Sequence, residues 1–209
     1  RLQQPAASQP TDISGLTVWL DANNLYGTGV NPADQTALTA WVNMAPGSPV
    51  GNFVNAGNYP YYNWTTNRMN GRNFVHFWGP VFCNANNLGN NVTILYAGRM
   101  SGGANQRLLG AGNNNFLLGY WTGNMNVSHW ANTPSQLVGA LDYAHHIFVG
   151  TANGATAWAY NADGPEWQIV TGALGAGPNG LTLGGGNGGG YQTETSYGDV
   201  GEVLVFNRM

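Results

Sequence analysis

Glycine and asparagine limit what this chain can fold into, because 32 glycines and 28 asparagines occupy 60 of its 209 positions. Both residues favour turns and tolerate left-handed backbone, and a glycine inside a helix costs about 1 kcal/mol relative to alanine. Long helices are therefore excluded as the main architecture. The short apolar runs between the turn residues must supply the core.

Ten short runs of β-favouring residues recur along the chain, each bounded by Gly, Asn or Pro. They are 16–20, 38–42, 73–78, 92–98, 115–121, 146–151, 156–161, 168–172, 180–185 and 200–207. Several of them alternate with the period of two that is typical of strands. The pattern predicts an all-β sandwich or barrel. A single helical turn is expected at 31–38, where Asn31 and Pro32 resemble an N-cap and first-turn pair.

The domain organisation follows from the ends of the pattern. Residues 1–12 carry two prolines, three glutamines and no apolar period, so we expect an extended arm or linker. No long repeat interrupts the remainder, so 13–209 is predicted to be a single domain. The chain begins at Arg1 without methionine and stops directly after its last strand motif, which suggests a processed or trimmed piece of a longer protein.

Charge excludes some classes of partner. Charged residues make up 7% of the chain, lysine is absent and the net charge is -3. The six arginines are scattered, so no patch could neutralise several phosphates, and nucleic acid is not expected as a partner. No apolar run reaches the length of about 20 residues that crosses a bilayer, so membrane insertion is not expected either. The single Cys83 is interpreted as a small buried apolar side chain.

Seven segments, taken together and in order, resemble the successive strand signatures of laminin G-like modules. They are 15–22, 40–43, 69–79, 90–99, 107–110, 145–151 and 198–209. These modules belong to the concanavalin A-like lectin and glucanase superfamily. The resemblance implies a jelly roll, which is a two-sheet antiparallel β-sandwich, with the first and last strands adjacent in one sheet. It also implies Ca²⁺ as a cofactor to test for, since such modules often carry one.

Hydrolysis of a glycosidic bond needs two carboxyl groups facing one sugar ring, about 5 to 5.5 Å apart for retention or about 6.5 to 9.5 Å for inversion. Asp199 and Glu202, with Glu194 nearby, are the acids that lie close in sequence. Residues three apart on a strand point to opposite faces, so the first two cannot share a substrate unless Gly198 or Gly201 forms a bulge. The carboxylate spacing of the glucanases is also absent. The sequence therefore predicts that the protein is not an enzyme.

Metal ligands are not evident from the spacing of histidines and acids. His145 and His146 are adjacent on a predicted strand and face opposite ways, which prevents joint ligation of one zinc ion. Calcium could take oxygen ligands from amides and carbonyls in the loop 83–91 or around Asp21. The metal ligands therefore remain unknown at this stage.

The segment 58–64 concentrates aromatic rings and amides around Pro60, and we expect it to be a surface loop. Flat rings can stack on the C–H face of a sugar while amides bond its hydroxyls. The predicted glycan-binding residues are Asn58, Tyr59, Tyr61, Tyr62 and Trp64. The alternative is that these rings fold back onto a sheet or bury against a neighbouring subunit.

Three N-x-[ST] sequons predict N-glycosylation at Asn63, Asn91 and Asn126 if the protein is secreted through a glycosylating pathway.

Three functions are consistent with these features. The first is a non-enzymatic recognition or adhesion module that binds a glycan or protein ligand on a secreted, cell-surface or virion protein. The second is a structural subunit of a capsid, fibre or surface layer, in which residues 1–12 contact neighbouring copies; low charge favours it, because near-neutral surfaces repel little. The third is a polysaccharide hydrolase, which the carboxylate spacing disfavours.

Overall fold

The computed structural model describes residues 9–57, 60–63, 69–79, 81–102, 106–130, 133–154, 156–161, 167–171 and 177–209. Within them the chain forms two 3₁₀ helices, Pro10–Asp12 and Ala22–Asn24, and sixteen strands. The strands are β1 (Leu16–Asp21), β2 (Ala40–Trp41), β3 (Phe53–Asn55), β4 (Tyr61–Asn63), β5 (Phe74–Trp78), β6 (Phe82–Cys83), β7 (Asn91–Met100), β8 (Leu109–Ala111), β9 (Leu117–Trp121), β10 (Asn124–Trp130), β11 (Thr133–Ala140), β12 (His146–Asn153), β13 (Thr156–Asn161), β14 (Trp167–Thr171), β15 (Leu181–Leu183) and β16 (Tyr197–Phe206).

The strands pair into two antiparallel sheets, which confirms the predicted all-β two-sheet sandwich. Sheet A has the order β14, β13, β12, β7, β16, β5, β4, and sheet B has the order β11, β10, β9, β8, β15, β6, β3, β2. Strand β5 pairs with the first half of β16, and β1 pairs with the second half. The first and last strands are therefore adjacent, as the resemblance implied.

Large aromatic side chains fill the space between the sheets. Strand β7 alternates buried and half-buried positions along most of its length, as expected of a strand with one face in the core. Tyr96 of β7 stacks on Phe148 of β12 with ring centroids 5.1 Å apart. Tyr120 of sheet B meets the same Phe148 ring edge-on at 4.9 Å. The Tyr96 hydroxyl donates to the Leu118 carbonyl at 2.8 Å, so stacking and hydrogen bonding both join the two sheets.

All ten predicted strand runs contain an observed strand, but the helical turn expected at 31–38 is wrong. Gln35 has a φ of 59°, which is left-handed backbone. Its N–H donates to the Tyr62 carbonyl, and the Leu38 N–H donates to the Pro60 carbonyl. Pairing with β4 and the residue before it takes the donors that a helical turn would have used.

Neither of the helices in the described part of the chain has the length and apolar character needed to span a membrane.

Candidate functional site

A bulge in β16 decides which side chains share the outer face of sheet A, the face turned away from sheet B. The register of β16 on β7 shifts between Val200 and Glu202, which makes Gly201 the extra residue of the bulge. A Cβ on Gly201 would lie 3.2 Å from the Met69 sulfur, so a small residue suits the site. The extra residue shifts the in-and-out alternation of β16 by one position. Asp199 and Glu202, three apart in sequence, therefore project from the same face.

Asp199 is held by two basic side chains on that face. Its carboxylate is 1% exposed; Oδ1 lies 2.6 Å from Nδ1 of His76, and Oδ2 accepts a hydrogen bond from Nε of Arg99 at 2.6 Å. The Arg99 guanidinium lies 5.9 Å from the centre of the Phe74 ring. Both carboxylate oxygens are engaged, so Asp199 orients the side chains of His76 and Arg99.

Exposed aromatic rings surround this ion-paired group. Trp78 is 52% exposed and meets Tyr61 edge-on with ring centroids 5.8 Å apart. Tyr197 lies directly opposite Trp78 in the β16–β5 register, and Tyr143 is exposed nearby. They border a cavity of about 590 Å³, the aromatic cleft, which is lined by Gln35, Phe74, His76, Trp78, Arg99, Met100, Ser101, Tyr143, Tyr197 and Asp199.

A second cavity of about 520 Å³, the carboxylate groove, lies on the same face. Asp21 of β1 and Glu202 of β16 are direct partners in the antiparallel register. Glu202 Oε1 accepts from the Trp19 indole N–H at 3.2 Å, and Asp21 Oδ1 accepts from the Asn23 N–H at 2.7 Å. The groove is lined by Gln9, Pro10, Trp19, Asp21, Asn23, Met69, Asn70, Arg72, Ala97, His145, His146, Ile147, Gly201 and Glu202.

The surroundings of Glu202 favour its neutral form. Burial raises the pKa of Glu202 and the Asp21 carboxylate raises it further, while the Trp19 hydrogen bond and Arg72 oppose the shift. Because the pKa is raised on folding, the contribution of Glu202 to stability is fully present below the ordinary carboxyl value of 4.5 and is lost as pH rises through the raised pKa. Ionised Glu202 is thus a cost to folding near neutral pH.

Replacing Glu202 by glutamine is expected to stabilise the protein near neutral pH and to leave it unchanged below pH 4.5, because the amide does not ionise but keeps an oxygen for Trp19. The check is the melting temperature of both proteins, followed by circular dichroism across that range of pH. A Glu202→Gln difference that stays constant with pH would contradict the raised pKa. The lowered pKa values of Glu194 and Asp142 also make stability depend on pH. They do so equally in both proteins, so their effect cancels from the difference in stability.

His145 lies between the two cavities. It lines the carboxylate groove, yet the charges that act on it include Arg99 and Asp199 of the aromatic cleft. Burial lowers the pKa of His145, and the Arg99 cation lowers it further. Its Nε2 is buried without a hydrogen-bond partner among the described residues. The adjacent His146 lines the groove too and places its own Nε2 2.7 Å from Asp142.

The predicted aromatic platform at 58–64 falls partly within the structure. Asn58, Tyr59 and Trp64 lie outside the described residues. Tyr61 and Tyr62 belong to β4, so the expectation that they sit in a loop is wrong; they pair with His76 and Val75 of β5.

Tyr61 and Tyr62 then point to opposite faces of sheet A. Tyr62 is 1% exposed, and its hydroxyl accepts a hydrogen bond from the Asn73 amide at 2.7 Å. Its ring therefore lies in the core, where a sugar cannot reach it. Tyr61 faces outward and joins Trp78.

The sequons lie in strands of both sheets. Asn91 begins β7 and is exposed, whereas Asn63 belongs to β4 and Asn126 to β10. Glycosylation at these positions stays a prediction, which the mass of the intact chain would test.

In the loop 83–91, the side-chain amide of Asn84 bonds to the protein's own backbone. Asn84 donates to the Gly51 and Asn52 carbonyls and accepts from the Asn86 N–H. Within the ranges that the structure describes, no three His, Cys, Asp or Glu side chains gather closely enough to hold a metal ion. A calcium ion bound through amides and carbonyls stays a prediction.

Comparison with known proteins relates the fold to solved structures. No protein-family model matches the sequence, and no curated protein does. The sialidase of Trypanosoma rangeli superposes with a TM-score of 0.51 at 14% identity, covering 95% of this chain and 31% of the sialidase. The chain thus spans less than a third of that protein's length.

A second solved structure is similar over most of its length. Domain 4 of AbnA, a GH43 extracellular arabinanase from Geobacillus stearothermophilus solved in complex with arabinotriose, superposes with a TM-score of 0.52 at 12% identity, covering 91% of each chain. At these identities both structures show a shared β-sandwich fold.

Proposed function

We propose that this chain is a non-enzymatic recognition module that binds a glycan in the aromatic cleft. The observation that carries the proposal is the exposed Trp78 ring, braced edge-on by Tyr61, beside the His76–Asp199–Arg99 group. The module is of the laminin G-like type in this proposal, with 13–209 as one domain, 1–12 as an arm and an extracellular location.

The cleft suits a sugar chemically. A sugar ring presents a weakly polar C–H face together with hydroxyl groups on its edge. Trp78 and Tyr197 offer exposed rings on which that face can stack. Arg99 and His76 offer hydrogen-bond donors and acceptors that Asp199 holds in place, so little side-chain entropy is lost when hydroxyls bind. Domain 4 of AbnA, solved with arabinotriose, is an example of an oligosaccharide bound to a domain of this fold.

The geometry of the cleft also supports binding without hydrolysis. Asp199 accepts from Arg99 and contacts His76, as expected of a group that positions its neighbours. A retaining or inverting mechanism needs two carboxyl groups at one ring, and Asp199 is the only Asp or Glu among the described residues that line the aromatic cleft.

Trp78→Ala is expected to weaken glycan binding at least about tenfold, because truncation of a central aromatic contact typically costs about 2 kcal/mol or more. A glycan array followed by affinity electrophoresis of the best ligands measures the effect. Trp121→Ala is the matched control, since Trp121 is 36% exposed but belongs to β9 of sheet B. Melting temperatures of both variants verify folding.

Two results would overturn the proposal. One is equal binding by the Trp78→Ala and Trp121→Ala variants. The other is a wild-type protein that binds no glycan, or that releases reducing ends from a polysaccharide it does bind.

A further inference from the structure

We infer that the carboxylate groove is a second subsite of the same binding face, and that the ligand is a neutral oligosaccharide long enough to lie along β16 from the aromatic cleft into the groove. This inference rests on the proposed function. It adds the size and the charge class of the ligand.

The two cavities adjoin on one face of sheet A. Ala97 lines the groove and Arg99 lines the cleft, and these two residues of β7 share a face with a spacing of about 7 Å along the strand. Asp199 and Glu202 make the same link on β16 through the Gly201 bulge. Each cavity alone is within the range of about 300–1,000 Å³ that is usual for small-ligand sites. A single sugar ring therefore cannot fill both.

The groove offers its own contacts to a hydroxylated ring. Trp19 provides a half-buried indole, and Ile147, on the opposite side of the groove, is exposed. Asp21 and Glu202 present carboxyl oxygens to the cavity.

The charges of the groove select against acidic sugars. The Asp21 carboxylate is the direct cross-strand neighbour of Glu202, so an acidic sugar placed between them would be repelled by Asp21, and by Glu202 whenever it is ionised. Among the described residues that line the groove, Arg72 is the only one with a permanent positive charge, and in the cleft Arg99 is already neutralised by Asp199. Neutral hydroxyl groups, in contrast, can donate to the carboxyl oxygens without that penalty.

The experiment measures the affinity of the whole chain for arrayed oligosaccharides of graded length, in neutral series and in series that carry uronic or sialic acids. We expect neutral ligands to bind at least about tenfold more tightly once they are long enough to reach both cavities, and acidic series of equal length to bind more weakly. Glu202→Ala should abolish the gain with length but leave the binding of the shortest ligands. Arg72→Ala tests the groove without touching a carboxylate, with the exposed Arg208→Ala as its control.

The outcomes separate the two proposals. Affinity that does not depend on length, or a Glu202→Ala variant that matches wild type for every ligand, would overturn the second subsite while Trp78→Ala still tests the cleft. Acidic ligands that bind as tightly as neutral ones would overturn the charge class. If the wild-type protein releases reducing ends and the Glu202→Gln variant does not, the groove hydrolyses its ligand, and the inference of a binding subsite is overturned. A wild-type protein that binds no glycan at all would overturn the proposed function itself.

Discussion

Asp199→Asn is expected to destabilise the protein by about 1.5–3 kcal/mol, which is the usual worth of a hydrogen bond to a charged group. Asp199 is 1% exposed, and its carboxylate is the shared partner of His76 and Arg99. With an amide in its place, the half-buried Arg99 cation would lose its counter-ion. Urea unfolding followed by circular dichroism measures the loss. Glycan binding at the cleft should weaken in the same variant, because His76 and Arg99 lose the group that positions them.

Asp142→Asn is the matched control for that experiment. Asp142 also pairs with a histidine, at 2.7 Å from Nε2 of His146, but its side chain is 55% exposed. The Asp142 carboxylate stays hydrated and its ion pair is screened, so its loss should cost less than the loss of the buried Asp199. If Asp142→Asn and Asp199→Asn destabilise the protein by similar amounts, the buried contacts of Asp199 do not contribute the stability that we assign to them.

Gly119→Ala is expected to cost about 3 kcal/mol or more. Gly119 of β9 has a φ of +107°, which other residues rarely adopt, and the strain costs about 1–3 kcal/mol. An added Cβ would also overlap the buried Tyr96 hydroxyl and lie 3.2 Å from Phe148, and overpacking adds about 1–3 kcal/mol. The clash would displace the hydroxyl that joins the two sheets through the Leu118 carbonyl. Thermal and urea unfolding measure the change.

Gly123→Ala separates strain from packing. Gly123 has a φ of +75° in the turn between β9 and β10, and nothing lies within 4 Å of a Cβ built there. Only the backbone penalty of about 1–2 kcal/mol applies. An equal loss of stability in the two glycine variants would contradict the packing that we describe around Tyr96.

The sequence predicted most of the longer strands because their runs alternate over several residues, but it missed β10 and β11, which have seven and eight residues. Strands β3, β6 and β8 have two or three residues, too few for a period to show. Strand β11 contains Pro134, and a proline in the sequence usually indicates the end of a strand. Because β11 lies at the edge of sheet B, a residue without an N–H is tolerated there. Strand β4 was mistaken for a loop because Pro60 precedes it and asparagines flank it.

The candidate site was less predictable because it depends on register. The alternation at 73–78 separates His76 and Trp78 from their neighbours but does not say which set faces the core. The sequence allowed a bulge at Gly198 or Gly201, and only the pairing of β16 with β7 shows that it lies at the second. Contacts between His76 and Asp199, or between Asp21 and Glu202, join strands far apart in the chain. No local spacing announces them.

A crystal structure of the protein with its best array ligand tests the central claim most directly. The account predicts a sugar ring stacked on Trp78, with a hydroxyl oxygen about 3 Å from a nitrogen of Arg99 or His76. A glycan bound elsewhere, with the outer face of sheet A left open to solvent, would contradict it.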